Sequence, residues 1–446
     1  MAAHDHVGGY GGDGEEAAQS SAVSSDGSRL FVAGYSWDDA TGFDYSTVAY
    51  DATTGARLWA ARYDGPEHLD DYANSVAVSP NGSRVFVTGI VDRGTNQQGR
   101  AIGDFGTTAY DAQSGAEVWA SRYDGPAGLH DVAYAIAVGP EGGSVYVTGP
   151  SRAADGTYEY ATVAHDANSG DVAWSSRYRG PYGQADVPAA IDVTPGGDQI
   201  VVTGISKGPG GDPVTISGDD DWDFATVAYN ASGIPGQQRW VARHGNPGLD
   251  YEAAEDVEIS PDGNRVFVTG SDFVGNDTVA YDVPSGERIW AADTVIFPNA
   301  LAVNPSGDRV YVAGSEYEVE SLNASTGEVM WSEAYRGVFT SWSLARDIEV
   351  SPDGAHVYTT GWDTDETFRA DYATVSWHSG TGAKEWVAVF NSNPSRTLDV
   401  DVASDLVVNP DGQVHVTGFF SYFVDQTLAT DGTSNFFDFG TVTYQD

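Results

Sequence analysis

The sequence predicts an all-β fold: an eight-bladed β-propeller, four antiparallel strands per blade, built as one domain from residues 1–446. Three observations predict it. One pattern recurs eight times at intervals of roughly 45 to 65 residues, the period of a propeller blade. Tryptophan stands in the fourth β-rich run of every copy except the last, at Trp59, Trp119, Trp174, Trp240, Trp290, Trp331 and Trp386. The last copy stops at Asp446 one run short, and the opening residues offer the missing run.

Within each copy the first run, strand A, leads into a turn ending in glycine, at Gly27, Gly82, Gly142, Gly197, Gly263, Gly307, Gly354 and Gly412, as in Ser260-Pro261-Asp262-Gly263. Strand B follows and ends at a second glycine, from Gly34 to Gly418, with Val-Phe-Val-Thr-Gly as its usual form. Strand C resembles Asp44-Tyr-Ser-Thr-Val-Ala-Tyr-Asp51, and a Thr-Gly or Ser-Gly turn leads to strand D with its tryptophan. Each indole buries on the order of 150–250 Å², worth at most roughly 4–6 kcal/mol, so the repeated tryptophans read as packing between blades. The N-terminal His6-Val-Gly-Gly-Tyr10 aligns with Trp59-Ala-Ala-Arg-Tyr63 and is expected to complete the eighth blade, closing the ring and leaving no open sheet edge.

These residues carry a resemblance. Tyr50-Asp-Ala-Thr-Thr-Gly55-Ala-Arg-Leu-Trp59 resembles the tryptophan motif of pyrroloquinoline-quinone-type (PQQ-like) propeller repeats, and Asp44-Tyr-Ser-Thr-Val through Arg62-Tyr-Asp-Gly-Pro66 is similar to bacterial SBBP repeats. The resemblance covers nearly the whole chain and implies the fold. It does not single out a function, because such repeats occur in dehydrogenases, outer-membrane assembly scaffolds and secreted proteins. The dehydrogenases carry long insertions and often a vicinal cysteine pair beside the quinone, so PQQ is not the expected cofactor of this cysteine-free chain.

Composition narrows the classes further. A net charge of −44 opposes binding of nucleic acid or an anionic membrane surface. Lys207 and Lys384 are the only lysines. The absence of cysteine excludes disulfides, zinc-thiolate sites, haem attachment and thiol nucleophiles. No apolar run of about 18 residues is present to span a bilayer, and the opening segment lacks the basic and apolar regions of a signal peptide. The expectation is a soluble, monomeric protein, extracellular or periplasmic, with its export signal outside the numbered chain.

A–B and C–D turns share one face of such a ring and stay short. B–C and D–A connections share the other and vary, reaching the long segments 205–222 and 419–437, so the variable face is where binding is expected. Acidic residues recur there: Glu16, Asp71, Asp131, Asp186, Glu252 and Asp401 before strand A, and Asp44, Asp104, Glu159, Asp223, Glu316, Asp371 and Asp438 at the start of strand C. Such recurrence fits loop tying by backbone N–H groups, with Ca²⁺ as the alternative. Less regular acidic loops supply the metal candidates Asp219, Asp221, Asp223, Asp363 and Asp365, although none follows the EF-hand spacing.

Residues that break the repeat are the ligand candidates. Trp37, Trp222, Trp342 and Trp362 fall on the variable face, three of them beside acidic loops, a combination suited to sugars or cationic groups. On strand A, eight positions before the turn glycine, blades five to seven offer Glu255, Asn299 and Arg346, with Asp347 next along, as a cluster for the channel mouth. The reading is a binding or scaffold propeller for a small molecule or carbohydrate, with Ca²⁺ as a candidate ion. The alternative is a carbohydrate-active or ester-cleaving enzyme at the same mouth, with a PQQ-dependent dehydrogenase behind it. His68 and His130 lie in D–A loops, but no zinc spacing appears and no Ser-His-Asp set stands out.

Overall fold

The structure, a computed structural model, describes residues 3–6, 16–96, 99–208, 222–245, 252–271, 276–295, 297–337, 343–364, 370–391, 401–423 and 435–444. Eight four-stranded antiparallel sheets form the blades. In chain order blade 1 is Glu16–Val23, Arg29–Asp38, Gly42–Asp51 and Arg57–Tyr63. Blade 2 is Asp71–Val78, Arg84–Thr95, Ala101–Asp111 and Glu117–Tyr123, and blade 3 is Ala135–Val138, Ser144–Arg152, Tyr158–Asp166 and Val172–Tyr178. Blade 4 is Asp186–Val193, Gln199–Lys207, Trp222–Asn230 and Gln238–His244, and blade 5 is Ala253–Ile259, Arg265–Ser271, Asn276–Asp282 and Arg288–Asp293. Blade 6 is Pro298–Val303, Arg309–Gly314, Glu318–Asn323 and Val329–Ala334, and blade 7 is Leu344–Val350, His356–Thr364, Ala370–His378 and Lys384–Phe390. Blade 8 takes Asp401–Val408, Val414–Phe423 and Asn435–Tyr444, and its fourth strand is Ala3–His6. Among the described residues no helix is long and apolar enough to cross a membrane.

Chain-end pairing is therefore present, with one correction to its register. Ala3 pairs with Thr443 and His6 with Gly440, whereas in blade 1 the tryptophan Trp59 pairs with Ala49 and Arg62 with Ser46. Thr441-Val442-Thr443-Tyr444 repeats Thr47-Val48-Ala49-Tyr50, so Ala3 holds the tryptophan position and His6 the arginine position. Sequence alone aligns His6 with the tryptophan, three residues out of step with this register. A short Gly-rich segment without an indole offers little side-chain signal to fix register.

Strand A of each blade contacts strand A of the next, including blade 8 against blade 1, so the A strands line the axis. A register shift interrupts the A–B ladder at the same place in blade after blade, as between Ala18 and Ser20, Ala73 and Ser75, and Ala254 and Asp256. The bulge presses an A-strand carbonyl onto strand B: a Cβ on Gly34 would lie 1.9 Å from the Ala17 oxygen, and one on Gly149 1.9 Å from Val132. Only glycine fits at this point for that reason, and strand B does not end there as the sequence suggests but runs on to Asp38 in blade 1 and Arg152 in blade 3.

Tryptophan joins the blades at the outer strand. The Trp59, Trp119, Trp240, Trp290 and Trp331 indole N–H groups donate to Ala112, Ala167, Val283, Ala324 and Ser379 carbonyls of the following blade at 2.8–3.1 Å. The ring lies over the C–D turn glycine of that blade, as Trp59 lies on Gly115. Tyrosines in strand C or just before it add a second tie, Tyr45, Tyr160 and Tyr317 donating to Gly106, Ala225 and Ala373 carbonyls at 3.3, 3.1 and 2.8 Å.

Candidate functional site

Short connections and long ones separate as the sequence requires. A–B turns span 24–28 in blade 1 and 260–264 in blade 5, while B–C connections range from 39–41 to the segment between Lys207 and Trp222. The recurrent carboxylates before strand A are buried and tie loops to strands. Asp71 accepts N–H bonds from Gly65 at 2.5 Å and Asp92 at 2.9 Å, Asp131 from Gly125 at 2.7 Å and Arg152 at 3.0 Å, and Asp186 from Gly180 at 2.7 Å. Each thus joins the D–A loop to the end of strand B. At the start of strand C, Asp44, Asp104 and Glu159 meet the strand D arginines Arg62, Arg122 and Arg177 at 2.6, 2.7 and 2.7 Å, and Asp223 meets Arg243.

Among the described residues two joints bring three carboxylates together. One oxygen from each of Asp44, Asp64 and Asp71 lies within 4.8 Å of the other two, and Asp104, Asp124 and Asp131 repeat the arrangement one blade on. Burial pushes Asp71 up to about 7, helped by the charges on Asp44 and Asp64, and pushes Asp104 up to about 6 against the pull of Arg122 and Arg93. The sequence reading named the outer two acids of each group and missed Asp64 and Asp124. The signal was the Arg-Tyr-Asp-Gly-Pro motif, present at 62–66 and again at 122–126.

The metal candidates chosen from irregular loops do not gather among the described residues. Asp219, Asp221 and Asp365 lie outside them. Asp223 is engaged by the Arg243 guanidinium, with Nε 3.1 Å away. Asp363 is buried beside the Tyr335 hydroxyl at 3.5 Å, and its carboxyl is raised by that burial.

Of the ligand-candidate tryptophans, Trp37 is 39 % exposed, and its indole N–H donates to Asp39 at 3.3 Å. Its ring stands edge-on to Phe43 at 5.0 Å. Phe43 in turn meets Tyr35 at 5.4 Å and Tyr72 of blade 2 at 5.3 Å, and Tyr35 and Tyr72 lie 4.9 Å apart. Tyr35, Phe43 and Tyr72 were not singled out from sequence. Period-two spacing of Tyr35 and Trp37, with Phe43 opposite Trp37 across the B–C hairpin, was the available cue. Trp222 corrects the expectation of a surface platform: it is fully buried with Ala185, Ile205 and Ala253, under the Lys207 ammonium at 5.2 Å, where no ligand can reach it. Trp362 is half-buried in strand B of blade 7, and Trp342 lies outside the described residues.

At the axis, Glu255, Asn299 and Arg346 are the bulge residues skipped by the A–B ladder. Among the described residues no hydrogen bond or ion pair joins them to one another. Asn299 donates to the Phe297 and Ala345 carbonyls at 3.1 and 3.2 Å, bracing blade 6 against blade 7, as Asn74 braces blade 2 against blade 3 through Ala133. Arg346 is open to solvent, yet the protein around it holds its guanidinium below the usual arginine range. Asp347 accepts the Leu406 N–H at 2.7 Å.

Asp347 is one of a series. Asp192 accepts from Ile259, Asp256 from Leu301 and Glu258 from Val303, at 2.7–2.9 Å, each linking one A strand to the next. Water still touches these groups, yet protein crowds them closely. Burial drives Asp192 to about 7 and Glu349 to about 8, and Glu258 and Asp347 well above the usual carboxylate range. Burial is the main cause at Glu258 in blade 5, and the charges of Glu349 in blade 7 and Asp192 in blade 4 add to it.

A family model described as outer membrane protein assembly factor BamB, a PQQ-type repeat family, matches residues 44–226 and 223–432. The chain belongs to this family. Curated proteins give no match. Among solved structures the fold is similar to the C-terminal WD40 domain of Sif2, at 11 % identity, 97 % of each chain covered and a TM-score of 0.59. The hydrazine synthase of Kuenenia stuttgartiensis aligns at 16 % identity over 76 % of this chain and 91 % of that one, with a TM-score of 0.48. The first of these supports the propeller fold and nothing finer.

Proposed function

We propose that the chain is an exported, monomeric binding and scaffold propeller whose variable face takes a neutral carbohydrate. One observation carries the reading: Tyr35, Trp37, Phe43 and Tyr72 form a contiguous aromatic group at the joint of blades 1 and 2, with Trp37 open to water beside Asp38 and Asp39. Flat rings receive the apolar face of a sugar, and adjacent carboxylates accept its hydroxyl protons. A net charge of −44 turns away acidic glycans and leaves neutral or amino sugars.

Membership of a family described by outer-membrane assembly supports export and a scaffold role. The test is a glycan array followed by calorimetric titration of wild type and Trp37→Ala. Binding of a neutral or amino sugar that Trp37→Ala loses at unchanged melting temperature supports the reading. Absence of binding across the array, or equal affinity in the variant, overturns it.

A further inference from the structure

The two acidic triads occupy equivalent joints but are balanced differently. In the second, the Arg93 guanidinium spans the group, with Nε 2.9 Å from Asp104 Oδ1 and Nη1 3.0 Å from Asp124 Oδ2, while Arg122 holds Asp104 Oδ2 from the other side at 2.7 Å. Arg93 stands four residues past the strand B glycine Gly89. The same place in blade 1, four past Gly34, is Asp38. Where one joint has a cation, the other has a fourth acid.

Neighbouring joints confirm that such acids are normally relieved. At the position of Asp64 and Asp124, blade 3 has Arg179, which pairs with Glu159 at 3.4 Å and Asp155 at 2.6 Å. Blade 7 has Asn391, whose amide donates to Asp371 at 2.7 Å. In blade 1 the available cations are Arg62, shared between Asp44 at 2.6 Å and Asp38 at 3.4 Å, and His68, which lies at the surface against Asp64 Oδ2 at 2.5 Å. Asp70 adds a further carboxylate, accepting the Phe43 N–H at 3.1 Å.

The two joints differ in what meets the corresponding oxygen. Asp104 Oδ1 is buried without a hydrogen bond but has Arg93 Nε 2.9 Å away. Asp44 has a side chain only 3 % exposed; its Oδ2 accepts from Thr41 at 2.7 Å and from Arg62, while its Oδ1 is buried without a hydrogen bond and blade 1 has Asp38 where blade 2 has Arg93. Asp64 Oδ1 is likewise buried with no partner. Two orphaned carboxylate oxygens beside the enclosed Asp71 are costly unless something positive meets them.

We propose that Asp44, Asp64 and Asp71 bind a divalent cation, which takes at this joint the place that Arg93 takes at the next. An all-oxygen, all-carboxylate donor set is that of a hard ion, and oxygens within 4.8 Å of one another need only a small side-chain adjustment to converge on one Ca²⁺ at bond lengths of about 2.3–2.6 Å, with water completing its shell. Mg²⁺ dehydrates reluctantly and wants shorter bonds in octahedral array, so Ca²⁺ is the ion assigned. The ion would lock the D–A loop to strand C of blade 1 and strand A of blade 2. This assignment stands independently of the carbohydrate reading.

Chelator-treated protein is titrated calorimetrically with CaCl2, and separately with MgCl2, as wild type, Asp64→Asn, Asp124→Asn and Asp38→Arg. Wild type and Asp124→Asn are expected to share one saturable Ca²⁺ site that Asp64→Asn weakens by about tenfold or more. Asp38→Arg, which installs the arginine of the second joint, is expected to lose the site while melting cooperatively. No saturable Ca²⁺ heat in wild type overturns the proposal, as does an undiminished site in both Asp64→Asn and Asp38→Arg. Preference for Mg²⁺ overturns the choice of ion.

Discussion

Asp405 in strand A of blade 8 accepts both the backbone N–H and the hydroxyl of Ser21 in strand A of blade 1, the hydroxyl at 3.0 Å. This pair joins the two ends of the ring at the axis. Burial raises the Asp405 carboxyl and that of Asp347 in blade 7, which the charge on Asp405 raises further. Asp405→Ala removes a charge-assisted acceptor for two donors and is expected to cost about 1.5–3 kcal/mol. Asp405→Asn keeps an acceptor and removes the repulsion, so it is expected to melt within a degree or two of wild type. Calorimetric unfolding at pH 6 compares the two, and equal losses would show that the charge, not the hydrogen bond, holds the joint.

Removal of residues 1–12 deletes the fourth strand of blade 8 and exposes the edge of Asn435–Tyr444. An unpaired edge loses its ladder bonds and invites pairing with another chain. The truncated protein is expected to melt at lower temperature and to elute partly as oligomers in size-exclusion chromatography. Unchanged melting and a sharp monomer peak would mean that the strand adds nothing to closure.

The fold was legible because its determinants recur: a bulge that demands glycine at Gly34 and its equivalents, and an indole that bolts each blade to the next through Trp59 and its equivalents. Repetition multiplies a weak signal. The site was less legible, because Asp64 and Asp71 are brought together by a loop and Tyr72 reaches Tyr35 across a blade boundary. Strand alternation alone does not show which tryptophan faces out, and so Trp222 and Trp37, both beside acidic loops, end in opposite environments. Position alone marks Asn299 as a ligand group, but its amide is spent on the Ala345 carbonyl.

Trp37 and Trp240 therefore separate cleanly as probes. Trp240 is buried in the core between blades 4 and 5 and donates to Val283 at 2.8 Å. Trp240→Ala is expected to destabilise by about 3–5 kcal/mol, with or without ligand. Trp37→Ala exposes no core cavity and is expected to shift stability by less than about 0.5 kcal/mol. Urea unfolding measures both, and a large loss at Trp37 would reassign it to packing.

Axial carboxylates set a pH dependence. Asp192 and Glu349 hold their protons in the folded state up to about 7 and about 8, whereas in an unfolded chain they release them near 4. Their stabilising contribution is full below the unfolded value and is lost as pH rises through 7 to 8. His415 works oppositely: burial lowers it to about 4, so acidification below about 6.5 costs stability. Several carboxylates outweigh one imidazole, and the melting temperature is expected to fall from pH 6 to pH 8.5. Asp192→Asn should flatten that slope, and a melting temperature that climbs over this range would refute the assignment of the axial carboxylates.

Arg93 offers the converse of the blade 1 cation site. Its side chain is 21 % exposed and bridges Asp104 to Asp124, so Arg93→Ala strips the second triad of the charge that balances it. Removing one partner of a partly buried ion pair leaves its acids uncompensated, an expected loss of about 2 kcal/mol, below the range for fully buried pairs because water reaches Asp124. If a divalent cation and a guanidinium are interchangeable at these joints, Ca²⁺ should restore much of that loss in Arg93→Ala. Melting curves of the variant with chelator and with millimolar Ca²⁺ decide it: a Ca²⁺-induced rise larger than in wild type supports interchange, and an equal rise shows that the vacated corner does not take an ion.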